Sequence, residues 1–274
     1  AGPLTATTIV VGADTLALTG SAAAAGAAAF AAGPGGITLS PGSALSATSV
    51  AFGSGTFVQE APGAVIAAGT LTGIGTIATD AGFLGAANSI GTLGAFAAGG
   101  ALVLDDAIGL AVTGPVSASA VTLVSANGIL LPAGGAIATP LLAAGGAAGV
   151  IEDPGAVLSV GTLISAGTLR GTANLAGTAN AVATLGAFAV NGGDLTLADT
   201  GALTLAGPVA AQNIALATTG ALTATGSATA AGQAASRSPP AAHSRLRLRP
   251  SRVPAASARP RAACWYSARS PAPA

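Results

Sequence analysis

The side chains of residues 1–236 that could do chemistry are carboxylates. Two adjacent pairs stand out, Asp105-Asp106 and Glu152-Asp153. Glycoside-cleaving enzymes use paired acids that face one another about 5–10 Å apart. Neighbours in a β-strand point to opposite faces of the sheet, so an adjacent pair does not meet this need. We interpret these acids as residues of solvated turns that keep an apolar chain soluble.

Other catalytic chemistry lacks its partners in this part of the chain. Residues 1–236 contain no His, Cys, Lys, Tyr or Trp. A Ser or Thr nucleophile therefore has no basic partner, and a zinc ion has no imidazole or thiolate ligand. Residues 191–197 match a calcium-binding nonapeptide only in part, and residues 73–78 resemble a dinucleotide loop without a following helix. Both are predicted to be turns. The sequence predicts no catalytic, cofactor-binding or metal-binding residues, and no enzyme.

The charge is distributed unevenly along the chain, although the net charge is zero. All nine acids precede residue 200, and Arg170 is the only cation before residue 237, so residues 1–236 carry a charge of −8 and the remainder +8. Glycine ends at Gly232, after which Arg and Pro increase. We predict a first region at 1–232 and a disordered basic tail at 233–274. A frameshift in GC-rich Ala and Gly codons would produce the same change, and both origins of the tail stay open.

An internal repeat with a period of about 92 positions organises the first region. Residues 37–57 align without gaps on residues 129–149, and the register continues beyond them. We place the copies at 37–128 and 129–221, with partial copies at each end. A glutamate and a phenylalanine recur in place: Glu60 and Glu152, Phe96 and Phe188.

Each copy has the pattern of short strands separated by turns. Apolar residues alternate with small or β-branched ones, as in Leu102–Leu104 and Leu203–Leu205, and Gly, Pro, Asn or Asp bounds each run. Short strands in a long-period repeat predict an all-β fold, a β-solenoid in which each coil stacks on the last. A β-sandwich array is the alternative. Coils of roughly 20 residues would make about 11–12 turns and a rod of roughly 55 Å.

Two local expectations accompany this fold. Residues 21–32 are rich enough in Ala to predict a local helix. The six phenylalanines are expected in core or cap positions: Phe30, Phe52, Phe57, Phe83, Phe96 and Phe188. No block long enough to cross a bilayer is rich in Leu, Ile or Phe, so no membrane span is predicted.

The repeat style resembles that of large bacterial surface proteins. Recurring units such as Gly69-Thr-Leu71 and Leu203-Thr-Leu-Ala-Gly207 are similar to those of autotransporter passenger regions and filamentous-haemagglutinin-type exoproteins. The resemblance covers residues 1–232 and includes no diagnostic motif. It implies a right-handed parallel β-helix, export to the cell surface, and roles in adhesion, matrix or display. No secretion-domain signature and no C-terminal translocator are visible, so the resemblance implies a fragment of a larger protein.

The sequence therefore predicts a structural or adhesive rod in a secreted or surface-anchored bacterial protein. Its expected partners are a host or matrix surface, a neighbouring cell, and capping or repeat segments of the parent chain, with no small-molecule substrate. One alternative is a carbohydrate-active β-helix enzyme that uses its carboxylates. Another is binding of nucleic acid or an anionic surface through the basic tail.

Overall fold

The computed structural model describes residues 3–238 together with 249 and 250, and these residues form strands and turns without any helix. The strands of the first half, in chain order, are β1 Leu4–Ala6, β2 Ile9–Leu18, β3 Ser21–Ala24, β4 Ala27–Leu39, β5 Ala44–Ser54, β6 Val58–Glu60, β7 Val65–Gly73, β8 Thr76–Ile77, β9 Ala81–Phe83, β10 Ser89–Leu93, β11 Phe96–Ala98, β12 Ala101–Asp106, β13 Leu110–Val112, β14 Pro115–Ser117 and β15 Ala120–Ser125. Those of the second half are β16 Ile129–Leu131, β17 Ala136–Gly146, β18 Gly149–Glu152, β19 Val157–Ser165, β20 Thr168–Arg170, β21 Thr172–Leu175, β22 Ala181–Leu185, β23 Phe188–Asn191, β24 Leu195–Asp199, β25 Leu203–Leu205, β26 Val209–Ala211, β27 Ile214–Thr218, β28 Leu222–Ala224, β29 Ala228–Ala230, β30 Ala234–Arg237 and β31 Arg249–Pro250.

Parallel pairing stacks these strands into a β-solenoid of about eleven turns. One column of paired residues runs through the stack, and each member lies one turn of the chain after the last: Leu16, Ile37, Val58, Ala81, Leu102, Val121, Leu142, Leu163, Leu185, Leu205 and Ala224. At about 4.8 Å per rung, the ten steps of this column span roughly 50 Å. The predicted fold class and turn length are confirmed.

The interior holds one continuous apolar core. Along most strands, buried residues alternate with partly or fully exposed ones, because successive side chains of a strand point to opposite faces. In the N-terminal half, the rings of Phe30, Phe52, Phe83 and Phe96 form a chain of contacts through the core, with the centroids of consecutive rings 5.6–5.7 Å apart. Phe30 and Phe52 stack, whereas Phe83 and Phe96 meet edge to face. Phe188 is buried in the C-terminal half.

The sixth phenylalanine lies outside the core, where it covers a turn. Phe57 is only half-buried, in the turn before β6. Gly36 has a φ of +73°, and a Cβ added there would lie 2.8 Å from two atoms of the Phe57 ring. The ring therefore covers a turn of the preceding rung, where only glycine leaves room for it.

The prediction of a helix at residues 21–32 is wrong. β3 and the beginning of β4 occupy this segment, and its alanines alternate between buried and more exposed positions. Both strands pair in parallel with β5. The helix propensity of alanine is worth less than about 1 kcal/mol per residue, so tertiary packing readily overrides it. Here alanine serves as the side chain small enough for a narrow core.

The two sequence copies do not lie on the same face of the solenoid. Ile37 belongs to the column that contains Leu102 and Leu142. Its equivalent Ile129 lies in a different column, between Leu110 and Val150. At about 21 residues per turn, a repeat of about 92 residues makes roughly four and a third turns. Equivalent residues are therefore rotated by about a third of a turn around the axis.

The last strands among the described residues are β30, which pairs with β27, and β31, which pairs with β29. The strand pairing thus continues past the predicted end at 232. Most of the predicted tail, residues 233–274, lies outside the described residues, and so do the disorder and the frameshift proposed for it. Among the residues that the structure describes, no helix is long and apolar enough to cross a membrane.

Candidate functional site

The most distinctive polar group of the molecule is a buried glutamate at a corner of the solenoid. Glu60 ends β6 and is only 1% exposed. Its Oε2 accepts hydrogen bonds from the Gly85 backbone N–H at 2.8 Å and from Asn88 Nδ2 at 2.7 Å. The other end of the Asn88 amide, Oδ1, accepts the backbone N–H of Ile66 at 2.7 Å. These bonds join two successive passes of the chain.

The second copy builds the same network. Glu152 ends β18 and is 3% exposed. Its Oε2 accepts from the Gly177 N–H at 2.8 Å and from Asn180 Nδ2 at 2.7 Å. Asn180 Oδ1 accepts the N–H of Leu158 at 2.9 Å. Each of these residues lies one full repeat after its counterpart, so the repeat encodes the whole network.

One rung beyond Asn88, a buried aspartate extends the first network. Asp106 ends β12, and its Oδ1 accepts the backbone N–H of Ile90 at 2.8 Å. Its Oδ2 accepts from the Ile108 N–H at 3.2 Å and from the Ser125 hydroxyl at 3.3 Å. Glutamate, asparagine, aspartate and serine thus occupy four successive rungs at one corner. We call this series a carboxylate ladder.

The second copy has a ladder of the same kind. Asp199 accepts the Val182 N–H at 2.7 Å on Oδ1 and the Gly201 N–H at 2.8 Å on Oδ2. The hydroxyl of Thr218 donates to Oδ2 at 3.4 Å, in the place taken by serine in the first ladder. The carboxylates of both ladders accept backbone N–H groups near the corner. Four of these bonds are buried, and without the carboxylates their N–H groups would have no partner: Gly85, Ile90, Gly177 and Val182.

Glycine lets the chain approach each glutamate closely. A Cβ added at Gly85 would lie 2.5 Å from Glu60 Oε1, and one added at Gly177 would lie 2.3 Å from Glu152 Oε1. These two Oε1 atoms are buried and have no hydrogen-bond partner. Each glutamate therefore has one fully bonded oxygen and one buried oxygen without a donor.

Burial shifts the acidity of the ladder carboxyls. It raises the pKa of Glu60 above its ordinary value, an effect that the donors Asn88 and Gly85 oppose and that the negative charge of Asp105 reinforces. Burial likewise raises the pKa of Glu152, against its own two donors. The pKa of Asp106 is also raised by burial, against three donors. Removal from water disfavours the charged form of an acid.

The interpretation of the acidic pairs as solvated turn residues is wrong for their inward-facing members. Asp106 is 5% exposed and Glu152 is 3% exposed. Their neighbours Asp105 and Asp153 are half-buried, and burial raises the pKa of Asp105. The pairs point to opposite faces as predicted, but the inward faces belong to the core. Their carboxylates remain there because they bond to backbone N–H groups.

The two acidic pairs do not converge. Asp105 and Asp106 line an open groove of about 440 Å³ that also contains Arg170, whereas neither Glu152 nor Asp153 lines it. The groove thus brings together two carboxylates, one of which is already bonded to backbone N–H groups. In the part of the chain that the structure describes, no group of three or more His, Cys, Asp or Glu side chains could hold a metal ion.

The segments that resembled cofactor motifs are turns. Gly73 ends β7 and Gly75 has a φ of +69°, and the strand β8 follows instead of a helix. Gly192 has a φ of +77° in the turn after β23. In that turn Asp194 Oδ1 accepts from both the backbone N–H and the side-chain amide of Asn213.

Sequence reasoning identified the recurrence of Glu60 and Glu152 but missed their partners. Asn88 and Asn180 recur at the same spacing, and so do the glycines that approach the glutamates. A search for every polar residue repeated at this period would have found them. Known proteins add no further assignment, since no family model, curated protein or solved structure matches the chain.

Proposed function

We propose that this chain is a rigid rod, a structural or adhesive segment of a secreted or surface-anchored bacterial protein. One observation carries the proposal. Both copies of the repeat contain a buried polar network whose bonds run between rungs. Such a network holds successive coils together, and the repeat places it at two points along the rod. In this proposal the network has no catalytic role.

The chemistry of the rod surface supports the same function. The strands present mainly Ala, Ser, Thr and Gly outward. Large exposed hydrophobic side chains are few and scattered among the described residues: Leu4, Val10, Ile74, Leu84, Ile108 and Leu130. A stiff stack of this kind can hold its turns at fixed spacing toward a host surface, a matrix or a neighbouring cell. The resemblance in repeat style favours the extracellular location.

Adhesion can be measured with the full chain coupled to beads. Retention on surfaces coated with matrix proteins or with cells is compared with that of Leu102→Asp/Leu142→Asp, a core variant that should not stack. We expect the folded chain to be retained at least several-fold more strongly, because fixed turns bind many sites at once. Equal retention of both would refute the adhesive role.

The structural role has a separate measurement. Electron microscopy of the purified chain should show straight particles roughly 50 Å long, as eleven stacked rungs require. Bent or globular particles would refute the rod even if adhesion were observed.

A further inference from the structure

We propose that Glu60 and Glu152 are buried proton-binding sites, and that their protonation strengthens the stacking of the rungs that they join. The proposal concerns a pH response of the solenoid itself, and it does not depend on what the rod binds.

The bonding of the two carboxyl oxygens indicates where the proton resides. In both glutamates Oε2 already accepts two hydrogen bonds, whereas Oε1 is buried and has no partner. An ionised carboxylate would leave negative charge on an oxygen that no donor reaches. A proton on Oε1 removes that charge and leaves both bonds of Oε2 intact. Burying a neutral hydroxyl costs far less than burying an unpaired charge.

The surroundings favour a proton over a larger cation. Gly85 and Gly177 pass so close to the Oε1 atoms that even an added methyl group would collide with them. A metal ion needs several oxygen ligands in addition to this space. A proton needs neither.

The charged groups around Glu60 also favour the neutral form. The strands packed against β6 are β4 and β9; residues 37–39 and 81–83, the parts that face it, carry no charged side chain. Asp105 on β12 is the charged group that acts on Glu60, and it raises the pKa of the glutamate. Asp106 lies beyond Asn88 and is also acidic. Arg170 is the only cation before residue 237, and it does not contribute to the shifted pKa of Glu60.

Glu152 lies in a similarly uncharged setting. Its strand packs between β16 and β21, neither of which contains a charged residue. Asp153 follows it directly and is half-buried. Asp199 lies beyond Asn180 in the ladder, and Arg170 ends the strand β20 without contributing to the shifted pKa of Glu152. Burial is the main influence on this carboxyl.

The direction of the pH effect follows from linkage. The folded-state pKa of both glutamates lies above the unfolded value, so the folded chain holds more protons than the unfolded chain between these two values. The stability that the two protons contribute is fully present below the unfolded pKa and is lost as the pH rises through the folded pKa. Mild acidification should strengthen the rod, whereas most proteins lose stability in acid.

The test compares urea unfolding of the full wild-type chain, Glu60→Gln/Glu152→Gln and the control Asp153→Asn between pH 5 and pH 8, followed by far-UV circular dichroism. Glutamine is a neutral isostere of the protonated acid. Because Asp106 has a raised pKa as well, the decisive quantity is the difference between the variant and the wild type. We expect the double variant to raise the folded-to-unfolded ratio at pH 8 by tenfold or more and to lose part of the pH dependence. Asp153→Asn should behave like the wild type.

A double variant that folds but is less stable than the wild type at pH 8 would overturn the proposal. If it fails to fold, infrared spectra of the wild type and of the single variants Glu60→Gln and Glu152→Gln decide. A protonated-carboxyl band that persists to a higher pH than exposed carboxyls allow, and that weakens in each single variant, supports the sites. Absence of the band, or a band of equal strength in the variants, refutes them.

Discussion

At the scale of single residues, two glycines matter because they lack a side chain and so allow close packing, and not because they adopt an unusual backbone conformation. Gly85 and Gly177 do not have a positive φ, yet each packs its Cα against a buried carboxyl. The absence of a side chain allows the backbone N–H to reach the glutamate. These glycines cannot be distinguished from turn glycines by composition, although their recurrence at the repeat period marks them.

Replacing either glycine should destabilise the solenoid. Gly85→Ala would place a methyl group 2.5 Å from both Glu60 Oε1 and the Ala64 carbonyl oxygen. Such overpacking typically costs about 1–3 kcal/mol. Urea unfolding measures the loss. The matched control is Gly82→Ala, since a Cβ there meets nothing within 4 Å; an equal loss in the control would refute this explanation.

The asparagines of the ladders should be equally sensitive. Asn88→Ala removes a donor from Glu60 and an acceptor from the Ile66 N–H, both of them buried. Each buried polar group left without a partner costs about 1–3 kcal/mol. The control is Asn127→Ala, at an exposed position. It should change the free energy of unfolding by no more than about 0.5 kcal/mol. Similar losses in the two variants would contradict the role given to the ladder.

At the scale of elements, the sequence predicted the strands well and the acids poorly, for a physical reason. Period-two alternation and glycine-bounded turns follow directly from strand geometry, so Leu102–Leu104 and Leu203–Leu205 are strands as expected. Burial of a carboxylate depends on donors from other rungs, and no local pattern reveals them. The helix predicted at residues 21–32 was wrong for the opposite reason. The helix propensity of its alanines is visible in the sequence, whereas the packing that makes the segment a pair of strands is not.

The aromatic stack tests the packing between elements. Phe52 contacts the rings of Phe30 and Phe83 and is 1% exposed. Phe52→Ala should cost about 3–5 kcal/mol, because the narrow core cannot collapse into the space. Phe57→Ala, at the half-buried turn position, should cost clearly less. Thermal unfolding of both variants measures the two losses of stability. Equal losses would contradict the importance assigned to the ring contacts of Phe52.

At the scale of the whole molecule, deletion of one full repeat should preserve the stacking of the remaining rungs, because the two copies are related by a rotation about the axis. Deletion of residues 37–128 joins Gly36 to Ile129, whose role in the rung matches that of Ile37. The shortened chain should fold and lose about four rungs, or roughly 20 Å. Deletion of residues 37–118 places the following strands out of phase and should abolish cooperative unfolding. Circular dichroism and electron microscopy distinguish the two, and equal behaviour of both deletions would refute the register.

The rotation of about a third of a turn also determines where a repeated loop is displayed. Three tandem copies would point the same loop in three directions spaced evenly around the axis, and a fourth would return to the first. A fibre built in this way has no preferred side. It would present the same loop to a surface whichever way the fibre is turned about its long axis.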